Sequence, residues 1–244
     1  MRDMKGTLAL AGAEIKRLRR NRRYLLFTIG LPVILYLIFA KQNATAYGVS
    51  FAAFYMVGIA SFGAFSGAFN NNTIRISQER KEGWIRQLRL TPLPPNAYVV
   101  AKIIASMATS VPAIVIVLLL GRFDAGIHLP AWEWIVIAVT IWLGTLIFAA
   151  LAVAIGYAFD PDSVQPIAFL VYFLFVIFGG LWFPLSGGLR KFGEITPTYW
   201  IVRIGTDVIS SHTVDVTGVV VILAWLVGFV ALATLVVRAK AEVL

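Results

Sequence analysis

Six stretches of this chain, at about 24–40, 49–69, 98–120, 132–158, 165–182 and 217–237, are apolar runs that reach or nearly reach the length needed to cross a hydrocarbon layer. That layer is about 30 Å thick and a helix rises about 1.5 Å per residue, so a crossing takes about 20 apolar residues. No water is available inside it, so each run must satisfy its own peptide groups as a helix. The pattern predicts an all-α polytopic membrane protein with six transmembrane helices, forming a single domain over 1–244. The first run is short and needs interfacial residues to complete the crossing; the fourth is long enough to tilt. Charged residues are 14% of the chain, against about 25% in soluble domains, which excludes a water-soluble core.

The net charge of +9 does not point to nucleic acid, because the cations flank the apolar runs. Eight Lys and Arg precede residue 24, six lie between Arg75 and Lys102, and Arg238 and Lys240 close the chain. The opposite side holds Lys41, Arg122, Arg190, Lys191 and Arg203. Positive residues stay on the cytoplasmic side, so both termini are expected there, in contact with anionic lipid headgroups. Trp132, Trp134, Trp182 and Trp200 then fall at the outer interface, which suits indoles. The first run, Tyr24 to Ala40, exceeds the about 7–15 residues of a signal-peptide core, so it is expected to be retained. Without cysteine there are no disulfides or thiolate metal sites.

Three polar or broken segments punctuate the runs. Residues 8–23 place Leu8, Ala11, Ile15 and Leu18 beside Lys16, Arg17, Arg19 and Arg20, which predicts an amphipathic helix lying on the inner leaflet. Between the second and third runs lies a charged island, with Glu79, Arg80, Lys81, Glu82, Gly83, Trp84 and Leu88, ending at Pro92 and Pro94. It is too charged for lipid and too short for a domain. Trp84, Ile85 and Leu88 predict a short surface helix suited to docking a soluble partner. After the fifth run, Gly179 to Arg203 is amphipathic and interrupted by Gly and Pro, which predicts re-entrant or interfacial outer helices.

These features together resemble the ABC-2 type exporter permeases. The residues that carry the likeness are the Glu79-Arg80-Lys81-Glu82-Gly83-Trp84 island, Pro92-Leu-Pro94, the outer Phe183-Pro184-Leu185 and Pro197. The subgroup most similar is the small bacterial drug and antibiotic exporter permeases of the daunorubicin-resistance type. The resemblance implies a bacterial cytoplasmic-membrane permease that pairs with a second permease chain, itself or a related one, and binds two copies of a separate ATPase. It implies that the island is a coupling helix, that Lys16, Arg17 and Arg20 flank that contact, and that Phe183 to Pro197 line or close the exit. It also implies that the first, second and fifth spans border the pathway, with Phe54, Tyr55, Phe62, Tyr172 and Phe175 as candidates. Glu79 and Glu82 would meet basic groups of the ATPase, while Trp84 and Leu88 fill an apolar pocket. No GxxxxGK[ST] loop is present, so ATP and Mg would be bound by the partner and this chain is expected to be non-catalytic. Hydrophobic or amphiphilic drugs are the expected cargo, with lipid, peptide or sodium as alternatives. A membrane-embedded enzyme and a passive channel are weaker alternatives.

Further readings concern single positions. Gly63 and Gly67 predict close helix packing within the chain. Asn70, Asn71 and Asn72 read as the polar end of the second span, and Asp162 or Ser163 as a cap on the fifth. No ionisable residue is expected deep in a span, which argues against an ion-coupled carrier. His128 and His212 are isolated, and no metal site is expected.

Overall fold

The computed structural model describes residues 2–94 and 96–241; the side chains of Arg2, Arg23 and Arg89, counted in the charge bias, lie outside the described residues. It opens with α1 (Arg2–Arg20). Asn21 ends that helix and caps the next, its side chain accepting from the Tyr24 N–H at 3.1 Å. The first expected span then runs as α2 (Arg22–Leu25), a π turn (Leu26–Gly30) and α3 (Leu31–Phe39). Pro32 cannot donate to the Thr28 carbonyl, and the helix widens one turn before it, with the Leu31 N–H reaching back to Leu26.

A two-stranded hairpin, β1 (Thr45–Ala46) and β2 (Val49–Ser50), leads to α4 (Phe51–Lys81). Next come α5 (Trp84–Arg89), α6 (Ala97–Phe123), α7 (Ala131–Ala158) and α8 (Pro161–Phe178). Two shorter helices, α9 (Gly187–Gly193) and α10 (Pro197–Ser211), precede α11 (Val216–Ala241). Among the described residues, five helices are long and apolar enough to cross a membrane: α4, α6, α7, α8 and α11. The sixth expected span is the interrupted α2–α3 stretch, whose apolar part, Leu26–Phe39, is shorter than a full crossing.

The central helix is α4. Of its most apolar stretch 89% is buried within the chain, against 11% for α11. Yet α4 is the least apolar of the five. Helices facing lipid must be greasy, whereas a helix wrapped by protein can carry small and polar residues that find partners. Gly63 and Gly67 provide that closeness: a Cβ at Gly63 would lie 2.7 Å from Pro32 Cγ, and one at Gly67 2.7 Å from Thr28 Cγ2. The GxxxG pair therefore seats the π turn on α4. A Cβ at Gly58, nearer the start of the same helix, would run into the Leu181 carbonyl oxygen.

Polar groups along α4 are matched inside the bundle. Asn72 donates to the Ala68 carbonyl at 3.0 Å and also meets Ser106. The three asparagines thus lie mid-helix, one turn and more before Lys81, and do not end it. Phe65 stacks on Phe148 with centroids 4.6 Å apart, joining α4 to α7. The segment broken by Gly and Pro folds into short helices, and α10 buries Tyr199, Ile201, Val202 and Val208.

Candidate functional site

The charged island divides at Gly83. Its first part, through Lys81, continues the α4 helix. Gly83 adopts φ +76°, a left-handed conformation natural to glycine, and α5 sets off in a new direction. Along α5, Ile85 and Leu88 pack on Ile76, Tyr98, Val153 and Tyr157, while Trp84 is 40% exposed. Trp84 and Ile85 are adjacent, about 100° apart around a helix, and so face different surroundings. The single apolar face expected for Trp84, Ile85 and Leu88 is corrected accordingly: Leu88 serves the interior and only Trp84 is presented. Glu82 and Arg86 are exposed beside it.

Glu79 is also corrected. It is 4% exposed and is held by partners within the chain. Its Oε2 lies 2.8 Å from Lys102 Nζ and accepts from the Tyr98 hydroxyl at 2.6 Å; its Oε1 lies 3.0 Å from Arg75 and 3.3 Å from Arg17. Glu14, on α1, completes the cluster through Arg75 at 3.1 Å and Lys102 at 3.2 Å. Glu79 lies beyond the apolar run at 49–69 and Lys102 near the start of α6, so neither buried group is deep in an expected span. The cluster fixes the buried face of α1, where Thr7, Ala11, Glu14 and Leu18 recur at helical spacing against α6. Leu8, expected in that stripe, is exposed, as are Lys16, Arg17 and Arg20. Arg80 and Lys81 meet the α7–α8 corner: Arg80 contacts the Tyr157 carbonyl and pairs with Asp160 at 3.0 Å, and Lys81 reaches Asp162 at 3.5 Å. Asp160, not Asp162 or Ser163, occupies the N-cap of α8.

A cavity of about 1400 Å³ opens between the α2–α3 stretch, α4 and α8. One end is lined by Phe39, Gln42, Phe51 and Trp182; the other by Arg17, Arg20, Arg75 and Gln78. Of the aromatic candidates, Tyr55, Phe62 and Tyr172 line it, and the Tyr172 hydroxyl donates to the Phe62 carbonyl at 2.6 Å. Phe54 and Phe175 do not. Phe54 is fully buried against Tyr47 and Phe51, and Phe175 sits among Phe148, Trp225 and Phe229. Sequence reasoning missed the polar half of the lining, Ser66, Asn70, Asn71 and Gln165. The signal was there: 62, 66, 70, 74 and 78 recur every four residues along α4.

The far end carries its own polar fittings. Leu185 is buried and clasped by Tyr47, whose hydroxyl accepts from the Leu185 N–H at 2.7 Å and lies 3.3 Å from its carbonyl. Phe183 and Pro184 are exposed, and Pro197 opens α10 behind the Thr196 cap. None of these four lines the cavity. Arg203 lies over the Tyr47 ring at 4.7 Å and pairs with Asp207 at 2.8 Å. Burial raises the Asp207 carboxyl above the usual carboxylate range, with Arg203 opposing the shift. His212, isolated in sequence, meets the fully buried Glu133 at 2.6 Å.

Residues 40–237 match the profile of the family described as ABC-2 family transporter protein. The chain belongs to the ABC-2 transporter family. The chain is also 27% identical over 235 residues to a Bacillus subtilis (strain 168) protein provisionally named transport permease YvfS, covering 94% of this chain and 96% of that one. ABC-2 membership makes this a multi-pass transport permease, in agreement with its five apolar helices. The match begins after α3, so Arg17 and Arg20 of the basic mouth lie outside it while Arg75 and Gln78 lie within it.

Proposed function

We propose that this ABC-2 permease is the membrane subunit of an ATP-driven exporter of hydrophobic or amphiphilic small molecules, with its termini in the cytoplasm of a bacterium. The observation that carries this reading is the cavity that follows α4 from the basic end of the bundle to the opposite end, bordered by the α2–α3 stretch, α4 and α8. The strong Lys and Arg bias supports the orientation. A separate ATPase, in two copies, would dock on Glu82, Trp84 and Arg86 at the turn after α4, with Lys16, Arg17 and Arg20 beside it. Movement of α5 would pass to α4 through Gly83 and the Arg80–Asp160 pair, and to α1 through the buried ion cluster, as rigid-body rocking. A second permease chain would close the open side of the cavity, and Phe183 to Pro197 would form the exit.

The test is purification of the full chain from its native membrane with a photo-crosslinking residue at position 84 or, as control, at position 191. A nucleotide-binding subunit is expected to crosslink at 84 only. Inverted vesicles containing both subunits should take up an amphiphilic dye on ATP addition. Glu82→Lys should abolish uptake while ATP hydrolysis continues. Undiminished uptake by that variant refutes the docking role, and failure to recover any nucleotide-binding subunit refutes the exporter reading.

A further inference from the structure

The lining of the α4 cavity has a polarity that bears on its occupant. Phe51, Tyr55 and Phe62 occupy the half away from the termini, whereas Ser66, Asn70 and Gln78 continue the same face toward the basic end. Every charged residue in the described lining is a cation: Arg17, Arg20 and Arg75. Arg17 and Arg75 are held against Glu79 and Glu14, but those two carboxylates also face Lys102, so three cations share two anions. Arg20 adds its charge at the mouth and forms no ion pair among the described residues.

A further group points the same way. Asn71 Nδ2 is a buried donor with no acceptor among the described residues, and Asn71 lines the polar half of the cavity. A buried donor is costly until an acceptor reaches it. Arginine guanidinium groups are suited to carboxylate and phosphate through paired N–H donors.

We propose that this cavity takes an amphiphile with an anionic, acceptor-rich head and a single apolar body, the head lying toward Arg20 and Arg75 and the body against Tyr55, Phe62 and Tyr172. This rests on the reading of the cavity as the transport pathway and narrows its cargo to one charge class. An organic cation could stack on the aromatic half, but it would enter past an uncompensated positive mouth. A bilayer phospholipid offers the same acidic head; the aromatic lining of Phe51, Tyr55, Phe62 and Tyr172 favours a diffusible solute with a flat apolar body.

The full chain in phosphatidylcholine nanodiscs is titrated with three dansyl-undecyl probes that differ only at the terminus: carboxylate, methyl ester and trimethylammonium. The carboxylate is expected to bind about 10-fold more tightly than the ester, with the trimethylammonium weakest, and added salt should weaken only the carboxylate. Arg20→Gln should bring the carboxylate to within about threefold of the ester, while Lys191→Gln at the opposite end changes nothing. Ser66→Trp and, from the facing wall, Leu35→Trp should block all three probes. Equal binding of carboxylate and ester, or tightest binding of the ammonium, overturns the charge assignment while the blocking variants still uphold a pathway. Binding indifferent to both tryptophans overturns the pathway reading itself. Loss of carboxylate binding when about a third of the lipid is replaced by phosphatidylglycerol assigns the site to lipid and overturns the diffusible cargo.

Discussion

Lys102 is the residue whose loss should reveal how α1 is held. It is 1% exposed, on α6, and its Nζ lies 2.8 Å from Glu79 and 3.2 Å from Glu14. Lys102→Met keeps most of the volume and removes the charge. Glu79 and Glu14 would then share Arg75, with Arg17 and the Tyr98 hydroxyl in support. Breaking a buried pair costs about 3–5 kcal/mol because a carboxylate is left without compensation. The remaining partners place the cost near the lower limit, about 3 kcal/mol, or a roughly 150-fold shift in the folding ratio. By soluble-protein scaling at this chain length the melting midpoint falls by about 6–12 °C. The assay is thermal unfolding of purified chain in neutral detergent, followed by tryptophan fluorescence, with limited trypsin digestion at Lys16, Arg19 and Arg20 as a local readout. The double variant Glu14→Gln/Lys102→Met removes one charge of each sign and leaves Glu79 opposite Arg75. It should recover about 1–2 kcal/mol relative to the sum of the single losses. Unchanged stability in Lys102→Met, or strict additivity in the double variant, refutes the view that one ion cluster ties α1 to α4 and α6.

Other outcomes follow from packing and pairing. Gly58→Ala forces a methyl group against the Leu181 backbone and should destabilise by about 1–3 kcal/mol, whereas Gly12→Ala, in the exposed face of α1 with nothing within 4 Å of its Cβ, should stabilise by about 0.5–1 kcal/mol; matched thermal melts of the two check the sign. His212→Ala removes a recorded partner of the buried Glu133, which should cost about 1–3 kcal/mol, largely regained by adding Glu133→Gln; a melt unchanged by the single variant refutes a structural role for the pair.

The legibility of this chain differed by element. The apolar runs of α4, α6, α7, α8 and α11 were read correctly because a hydrocarbon layer imposes length and composition locally. The first expected span is interrupted instead by a π turn before Pro32, which its continuous hydropathy does not reveal. The Gly and Pro interruptions after the fifth run predict short helices, which α9 and α10 are. Within the island, Gly83 takes the left-handed conformation that separates α4 from α5. But Glu79 was read as a surface charge when it is a core one, since a carboxylate's partners are not written beside it.

What the sequence alone determined is the membrane-spanning helical class, the one-sided basic bias and the family to which the chain belongs. Each depends on properties summed along a short stretch of residues. What tertiary structure decided is which faces of those helices meet. Glu14, Glu79 and Lys102 are brought together from three helices, and Ser66, Asn70 and Arg20 come to share one cavity. Those pairings depend on crossing geometry; the Gly63 and Gly67 spacing marks a place of close approach but does not name the helix that approaches.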